Sequence, residues 1–279
     1  MIKIHAENVQ KIFPLKADQQ INGNSGKTRE LQVLKDFNLS IKEGEFIAIV
    51  GPSGCGKSVF LDIVGGLTKM SSGNVFIDEK KVTNPDPQLG YVFQQYALFP
   101  WRTAISNIEY PLEIRGIDAT KRKEKAKELI SLIGLKGFEQ WLPYQLSGGM
   151  QQRVAIARSL STDPEVLLMD EPFAALDAQT REILQEELLR IWEGIKNTVI
   201  FVTHSIEEAV FLADRVVVMN TRPGSVKCIF DIDLPRPRGE NTRSCSEFAY
   251  YRHEVWEALK DEVNKAQKDW ELSAFYSGR

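Results

Sequence analysis

The octapeptide Gly51-Pro52-Ser53-Gly54-Cys55-Gly56-Lys57-Ser58 stands directly between an apolar run, 46–50, and a helical pattern that begins at Val59. A glycine-rich loop between a strand and a helix turns successive backbone N–H groups toward one point, which suits the phosphates of a nucleoside triphosphate. Lys57 adds a positive charge there, and the Ser58 hydroxyl can ligate Mg²⁺. A second apolar run, 166–169, ends in Asp170-Glu171. Carboxylates at the carboxyl end of a buried strand sit where open α/β sheets hold their ligands. Asp170 is therefore a candidate to support the metal, and Glu171 to orient or deprotonate an attacking water. Two further strand ends carry side chains suited to the same edge. His204 is expected within reach of a terminal phosphate oxygen, and the Gln94 amide can bond both a metal-bound water and a backbone group.

A second anion site is written into Leu146-Ser147-Gly148-Gly149-Met150-Gln151-Gln152-Arg153, which opens a helix that runs on through Arg158. Ser147 is a good N-cap, and two glycines leave the helix start bare, an arrangement that favours phosphate. It lies in a different region from Lys57. A symmetric dimer, with each loop facing its partner's Ser147-Gly148-Gly149 across one nucleotide, would employ both.

These side chains need a sheet to hold them. Short β-branched runs alternate with helical patterns, which predicts an α/β fold with a parallel or mixed sheet covered by helices. The expected strands are 46–50, 75–77, 89–93, 166–169, 198–203 and 216–219. Residues 95–164 carry no convincing strand and read as an inserted helical subdomain, in which 120–133 places Ala126, Leu129, Ile130 and Ile133 on one face and stops at Gly134. The polar segment 16–30 reads as a mobile surface loop. Beyond Pro235-Arg236-Pro237-Arg238-Gly239, the residues Phe248, Tyr251, Val255, Leu259 and Val263 recur at helical spacing, as in a closing helix packed on the body. The expected division is an α/β core from 1–94 and 165–235, a helical insertion at 95–164 and a helical tail at 236–279.

The 279 residues are 43% apolar and 26% charged, and 35 basic against 38 acidic side chains leave a net charge of −3. That composition excludes fibrous and wholly disordered classes, and its near-neutral balance gives no general pull toward nucleic acid. No apolar stretch approaches the ~20 residues that span a bilayer, and the start lacks the pattern of a secretory signal. Cys55, Cys228 and Cys245 are too scattered for a disulfide framework or a zinc site, which fits a reducing cytosol.

Gly51 to Ser58, Gln94, Leu146 to Arg153, Leu168-Met169-Asp170-Glu171-Pro172, Ala175-Leu176-Asp177 and His204 fall in the order found in ATP-binding cassette (ABC) ATPases. The chain resembles that family over nearly its whole length. The resemblance implies a P-loop NTPase of ABC type, with a RecA-like mixed-sheet core, an antiparallel β subdomain and an inserted α-helical subdomain. It also implies head-to-tail dimers that close on two ATP molecules with Mg²⁺. By that resemblance Gly51, Pro52, Ser53, Gly54, Cys55, Gly56, Lys57, Ser58 and Val59 bind nucleotide. Ser147, Gly148, Gly149 and Gln151 serve the nucleotide held by the partner, and Asp177 lies at the dimer seam. Ser58, Gln94 and Asp170 serve the metal; Glu171, His204 and Gln94 serve hydrolysis, and Gln94 couples the site to a membrane partner. Phe13 matches the aromatic that stacks on adenine, more often Tyr, with a core Phe ending the first strand as the alternative.

Within the family, Ala97-Leu98-Phe99-Pro100-Trp101-Arg102-Thr103, Thr221-Arg222-Pro223-Gly224 and the Pro-Arg-Pro-Arg stretch look most like importers for nitrate, sulfonate, taurine or related small anions. That resemblance implies an ATP-hydrolysing subunit, peripheral on the cytoplasmic face of the membrane. It would work with a second cassette, identical or a paralogue, with transmembrane permease subunits and indirectly with a solute-binding protein, and without nucleic acid. Tyr96, Leu98 and Trp101 are the candidate permease contacts, with core packing an equal alternative for Leu98 and Phe99. Three features depart from the family pattern: Gln95-Tyr96 replace Glu-Pro, Ala174 replaces Ser or Gly, and the 16–30 loop is longer than usual. Two rivals stand beside this reading. A soluble cassette of DNA repair or translation would carry a long coiled-coil insertion or two cassettes, and a P-loop kinase for a small molecule would have no use for 146–153.

Overall fold

The computed structural model describes residues 1–15 and 29–277, with the backbone alone for 15, 29 and 269–277; most of the polar segment expected to form a surface loop, 16–28, lies outside the described residues. From the N-terminus come β1 (Ile2–Leu15), β2 (Arg29–Lys42), β3 (Phe46–Val50), α1 (Lys57–Val64), β4 (Ser72–Ile77), β5 (Lys80–Lys81) and β6 (Leu89–Val92). Helices α2 (Ala104–Ile114), α3 (Ala119–Leu132) and α4 (Gly148–Leu160) follow, then β7 (Val166–Asp170), α5 (Ala178–Ile195), β8 (Thr198–Thr203) and α6 (Ile206–Leu212). The chain ends with β9 (Arg215–Met219), β10 (Val226–Asp231), α7 (Glu240–Arg243) and α8 (Ser246–Ser277).

Among the described residues the strands form two sheets. One is antiparallel, in the order β2-β1-β4-β5. The other runs β10-β9-β3-β8-β7-β6 and is parallel throughout except for β10 against β9. The central strands β3 and β8 are buried along their whole length, which is why they read as continuous apolar runs. The carboxyl ends of β3, β6, β7 and β8 open on one edge, and that edge carries the phosphate loop, Gln94, Asp170-Glu171 and His204.

The two long strands β1 and β2 extend the expected set, and Arg29 and Glu30, assigned to a loop by composition, belong to β2. The alternation Ile2, Ile4, Ala6 breaks because Asn8 turns left-handed at φ 47°, as does Asp36 at 48° on β2. The register between the two strands slips between Ala6 and Val9. Such bulges move the apolar set to the other face, so no single period runs the length of the strand. Strand β6 stops at Val92, one residue short of Phe93, and β10 alternates only half-buried positions, which left it without a clean pattern.

Two apolar layers flank the parallel sheet. Phe46, Val50, Met169, Phe173, Trp192 and Phe201 fill one. In the other, Ile47, Ile49, Phe60, Leu61 and Val202 pack with Ile4, Phe37 and Ile41 of the antiparallel sheet. The Phe37 and Phe60 rings lie 4.2 Å apart, so α1 is pinned beneath the antiparallel sheet. Helices α2, α3 and α4 pack on one another between β6 and β7. The 120–133 expectation is met by α3, capped by Asp118, whose carboxylate accepts the Thr120 N–H.

At the other end, Phe248, Val255 and Leu259 of α8 are buried and Tyr251 and Val263 are partly buried against the core. Arg238 is buried and donates to the carbonyls of Val210, Phe211 and Ala213 at the end of α6, acceptors that a helix leaves without partners. Burial pulls its guanidinium down to about 10, which leaves it charged at neutral pH. Glu262 of α8 is 2% exposed. It accepts from the Thr221 N–H at 2.9 Å, Lys227 at 3.1 Å and Lys265 at 2.8 Å. Burial pushes its carboxyl up, but these hydrogen bonds prevail and hold it down at about 2 against an ordinary 4.5. An acid depressed on folding contributes stability above its unfolded value and loses it as pH falls toward the folded one. Glu262→Gln is expected to cost ~1–3 kcal/mol at neutral pH. Its thermal unfolding should also depend less on pH between about 4.5 and 2 than that of the parent chain. Unfolding temperatures that match at every pH contradict this.

Candidate functional site

The phosphate loop leaves β3 and closes into α1 with Gly54 at φ 78° and Gly56 at φ 103°. Glycine adopts these left-handed values at little cost. At Gly56 the fit is also steric, because a Cβ there would stand 2.7 Å from Leu34 Cδ2 of β2. Lys57 is 5% exposed, and its ammonium donates to the carbonyls of Gly51 at 2.9 Å and Pro52 at 3.1 Å. A lysine has three donors, so one remains for a phosphate oxygen. Gly51, Pro52 and Cys55 are buried beneath the loop. Burial pushes the Cys55 thiol up, and that side chain faces the core, so of these expected nucleotide contacts only backbone is on offer.

A cavity of about 500 Å³ opens at this loop, within the range of pockets that hold small ligands. Phe13, Leu31, Gln32 and Val33 wall it from the antiparallel sheet, and Ser53, Gly54, Gly56, Lys57, Ser58 and Val59 from the loop and α1. Gln94, Glu171 and Arg222 complete the lining. Phe13 is half-buried with the Lys11 ammonium 4.4 Å from its ring centre. Phe13 thus ends its strand with its ring at the cavity.

The Ser58 hydroxyl donates to Asp170 Oδ1 at 2.9 Å. Burial pushes the Asp170 carboxyl above its ordinary value, and the neighbouring charges of Glu171 and Asp62 add to that, against the Ser58 hydrogen bond and Lys57. Crowded anionic oxygen is the environment a hard divalent cation relieves. Among the described residues no three His, Cys, Asp or Glu side chains cluster as a protein-only metal site. One carboxylate and one hydroxyl, completed by water and phosphate, is the way Mg²⁺ is commonly held, and the residues present fit it.

Glu171 turns left-handed at φ 43° as the chain leaves β7, a conformation uncommon for a residue with a side chain. Its side chain is 19% exposed. Gln94 Nε2 donates to its Oε2 at 3.3 Å, and His204 Nδ1 stands 3.3 Å from the same oxygen. The three side chains therefore meet at one carboxylate oxygen. His204 does not line the cavity. It lines a neighbouring cleft with Glu207, Arg252, His253 and Trp256.

The Ser147 helix start does not line the cavity either. Ser147 is exposed, and its hydroxyl accepts the Met150 N–H as the N-cap of α4. Asp177 is the N-cap of α5, accepting from Thr180 at 3.0 Å. A Cβ on Gly149 would meet Thr180 Cγ2 at 2.7 Å, and one on Gly148 would meet the Tyr96 hydroxyl at 3.0 Å. The bare amides at 147–149 and Asp177 thus share one surface of the chain. Gln151 is half-buried and donates to the Leu146 carbonyl.

After Gln94 the chain is held by Arg158, which donates to the Tyr96 carbonyl at 3.0 Å and the Ala97 carbonyl at 2.6 Å. Trp101 is 74% exposed. Leu98 is half-buried and packs against the core. Leu31, Gln32 and Val33 are lining residues that sequence motifs did not mark, and Arg222, marked only within the stretch that resembles anion importers, lines the cavity with them. No helix among the described residues is long and apolar enough to cross a membrane.

Residues 34–174 match the ABC transporter family. The chain is 52% identical over 267 residues to an uncharacterized ABC transporter ATP-binding protein of Methanocaldococcus jannaschii, covering 96% of this chain and 95% of that protein. It is 46% identical over 223 residues to the aliphatic sulfonates import ATP-binding protein SsuB of Bacillus cereus, covering 80% and 88%. It is also similar to an ATP-binding cassette solved as a dimer in a post-hydrolysis state with ADP and phosphate. There the TM-score is 0.70 and the identity 36%, over 83% of this chain and 100% of that one.

Proposed function

We propose, from the premise that this chain belongs to the ABC transporter family, that it is the ATP-hydrolysing subunit of an importer for a small anion, with aliphatic sulfonates the favoured cargo. The observation that carries the reading is the convergence of Phe13, Lys57, Ser58, Gln94 and Glu171 on one cavity. The cargo rests on the 46% identity to SsuB proteins, together with the Thr221 to Gly224 and Pro-Arg-Pro-Arg stretches.

In this reading Phe13 stacks on adenine, while the loop amides of Ser53 to Ser58 and the free donor of Lys57 grip the phosphates. Ser58 and Asp170 hold Mg²⁺, with Gln94 beside them, and the bound ion neutralises charge on the phosphate oxygens. Glu171 orients or deprotonates the attacking water. Gln94 and His204 face the carboxylate oxygen they share, and His204 steadies the terminal phosphate. Ser147, Gly148, Gly149, Gln151 and Asp177 serve the site of a second cassette, which explains why they stand outside this chain's own cavity. Tyr96 and Trp101 are the side chains offered to a permease, and the subunit is peripheral at the cytoplasmic face. The division into 1–94 with 165–235, 95–164 and 236–279 belongs to the same proposal. A small-molecule kinase would leave the Ser147 helix start without a task.

The test is reconstitution of the chain in vesicles with the permease subunits of an aliphatic sulfonate importer. Accumulation of an alkanesulfonate that requires both ATP and Mg²⁺ is the expected result. ATP consumption without uptake of any small anion overturns the importer reading.

A further inference from the structure

Arg222 enters the cavity from a turn that is fastened on three sides. The turn, 221–224, joins β9 to β10 and is closed by the Asn220 N–H donating to the Ser225 carbonyl at 2.9 Å. The Gly224 N–H donates to the Val33 carbonyl at 2.8 Å, and the Lys35 N–H donates to the Gly224 carbonyl at 3.0 Å. The Thr221 N–H is taken by buried Glu262. Gly224 presses on the phosphate loop so closely that a Cβ there would stand 1.9 Å from the Cys55 carbonyl oxygen. A turn held this way carries its next side chain to a defined place.

That place is over Gly54. Arg222 Nη2 lies 3.4 Å, and Nε 4.0 Å, from the position a Cβ on Gly54 would occupy, and the residue lines the same cavity as Lys57 and Phe13. Among the described residues nothing gives its guanidinium a hydrogen bond or an ion pair. A guanidinium is a planar fork of donors matched to carboxylate and phosphate oxygens, and here it is aimed at the loop that cradles phosphates while bound to no carboxylate.

We propose that Arg222 is a nucleotide-binding residue, donating to phosphate oxygens of the nucleoside triphosphate as a second cation beside Lys57. The proposal rests on the reading of this cavity as the ATP site. Charge-assisted hydrogen bonds of this kind are worth about 10- to 100-fold in affinity. The backbone anchors give Arg222 its position without any use of its side chain, so truncating the side chain leaves the fold in place.

The experiment is calorimetric titration of the full chain with ATP and with ADP at two salt concentrations, on the parent, Arg222→Ala, Arg222→Lys and Lys57→Ala, with unfolding temperatures measured with and without nucleotide. Arg222→Ala is expected to weaken ATP and ADP by about 10-fold or more. Salt dependence should fall, and the unfolding temperature without nucleotide should hold. Arg222→Lys should restore part of the affinity. If Arg222→Ala binds like the parent while Lys57→Ala does not, the Arg222 proposal is overturned and the ATP site stands. If Arg222→Ala loses affinity together with ligand-free stability, and Lys restores neither, the residue is structural and the proposal is overturned. If the parent binds no ATP, the ATP-site reading fails and the proposal with it.

Discussion

Glu171→Gln should hold ATP and fail to turn it over. The substitution keeps the shape of the side chain and removes the charge, so the loop, Lys57 and the Ser58–Asp170 pair are untouched. What is lost is the carboxylate oxygen that Gln94 and His204 both face at 3.3 Å. A positioned general base contributes ~10²–10⁴ in rate, and kcat should fall by that order while affinity for ATP stays within a few-fold. The second consequence is physical. If nucleotide is clamped between two copies, a variant that cannot spend its ATP should remain a dimer, visible by light scattering. Turnover at the parent rate sinks the assignment of Glu171, and a monomer at saturating ATP sinks the two-copy site.

Lys57→Ala should abolish measurable ATP binding. The ammonium is buried and already anchored on two carbonyls, so its remaining donor is fixed in direction before nucleotide arrives and little side-chain freedom is lost on binding. Losing a charge-assisted contact and the loop geometry it fastens should weaken ATP by at least about 100-fold. Arg at the same position should not restore it, because a planar guanidinium fork does not reproduce the compact point charge of an ammonium. Titration reads both variants, and an unchanged dissociation constant for Lys57→Ala refutes the role.

Much of this site could be read from the chain alone because its parts are local. Gly51 to Ser58 is one turn with its own steric logic, and strands buried on both faces, such as β3 and β8, announce themselves as apolar runs. Asp170, Glu171, Gln94 and His204 follow from lying at strand ends on one edge. The parts that escaped depend on geometry with no local signal. Strands β1 and β2 lose their alternation at Asn8 and Asp36. Arg222 acquires chemistry only when the turn at Gly224 comes down on Cys55. An arginine before a proline carries no such information by itself.

The cavity wall draws on Phe13 near the start of the chain and on Arg222, more than two hundred residues later, with the phosphate loop between. Such a pocket does not exist in any fragment; it is completed only when the antiparallel sheet, the parallel sheet and the last hairpin have all docked. Nucleotide must then act as a staple on the finished fold. A ligand at a hundredfold excess over its dissociation constant adds about 2.7 kcal/mol to the state that binds it. A cell depleted of ATP would therefore keep this subunit idle and also leave it easier to unfold and degrade.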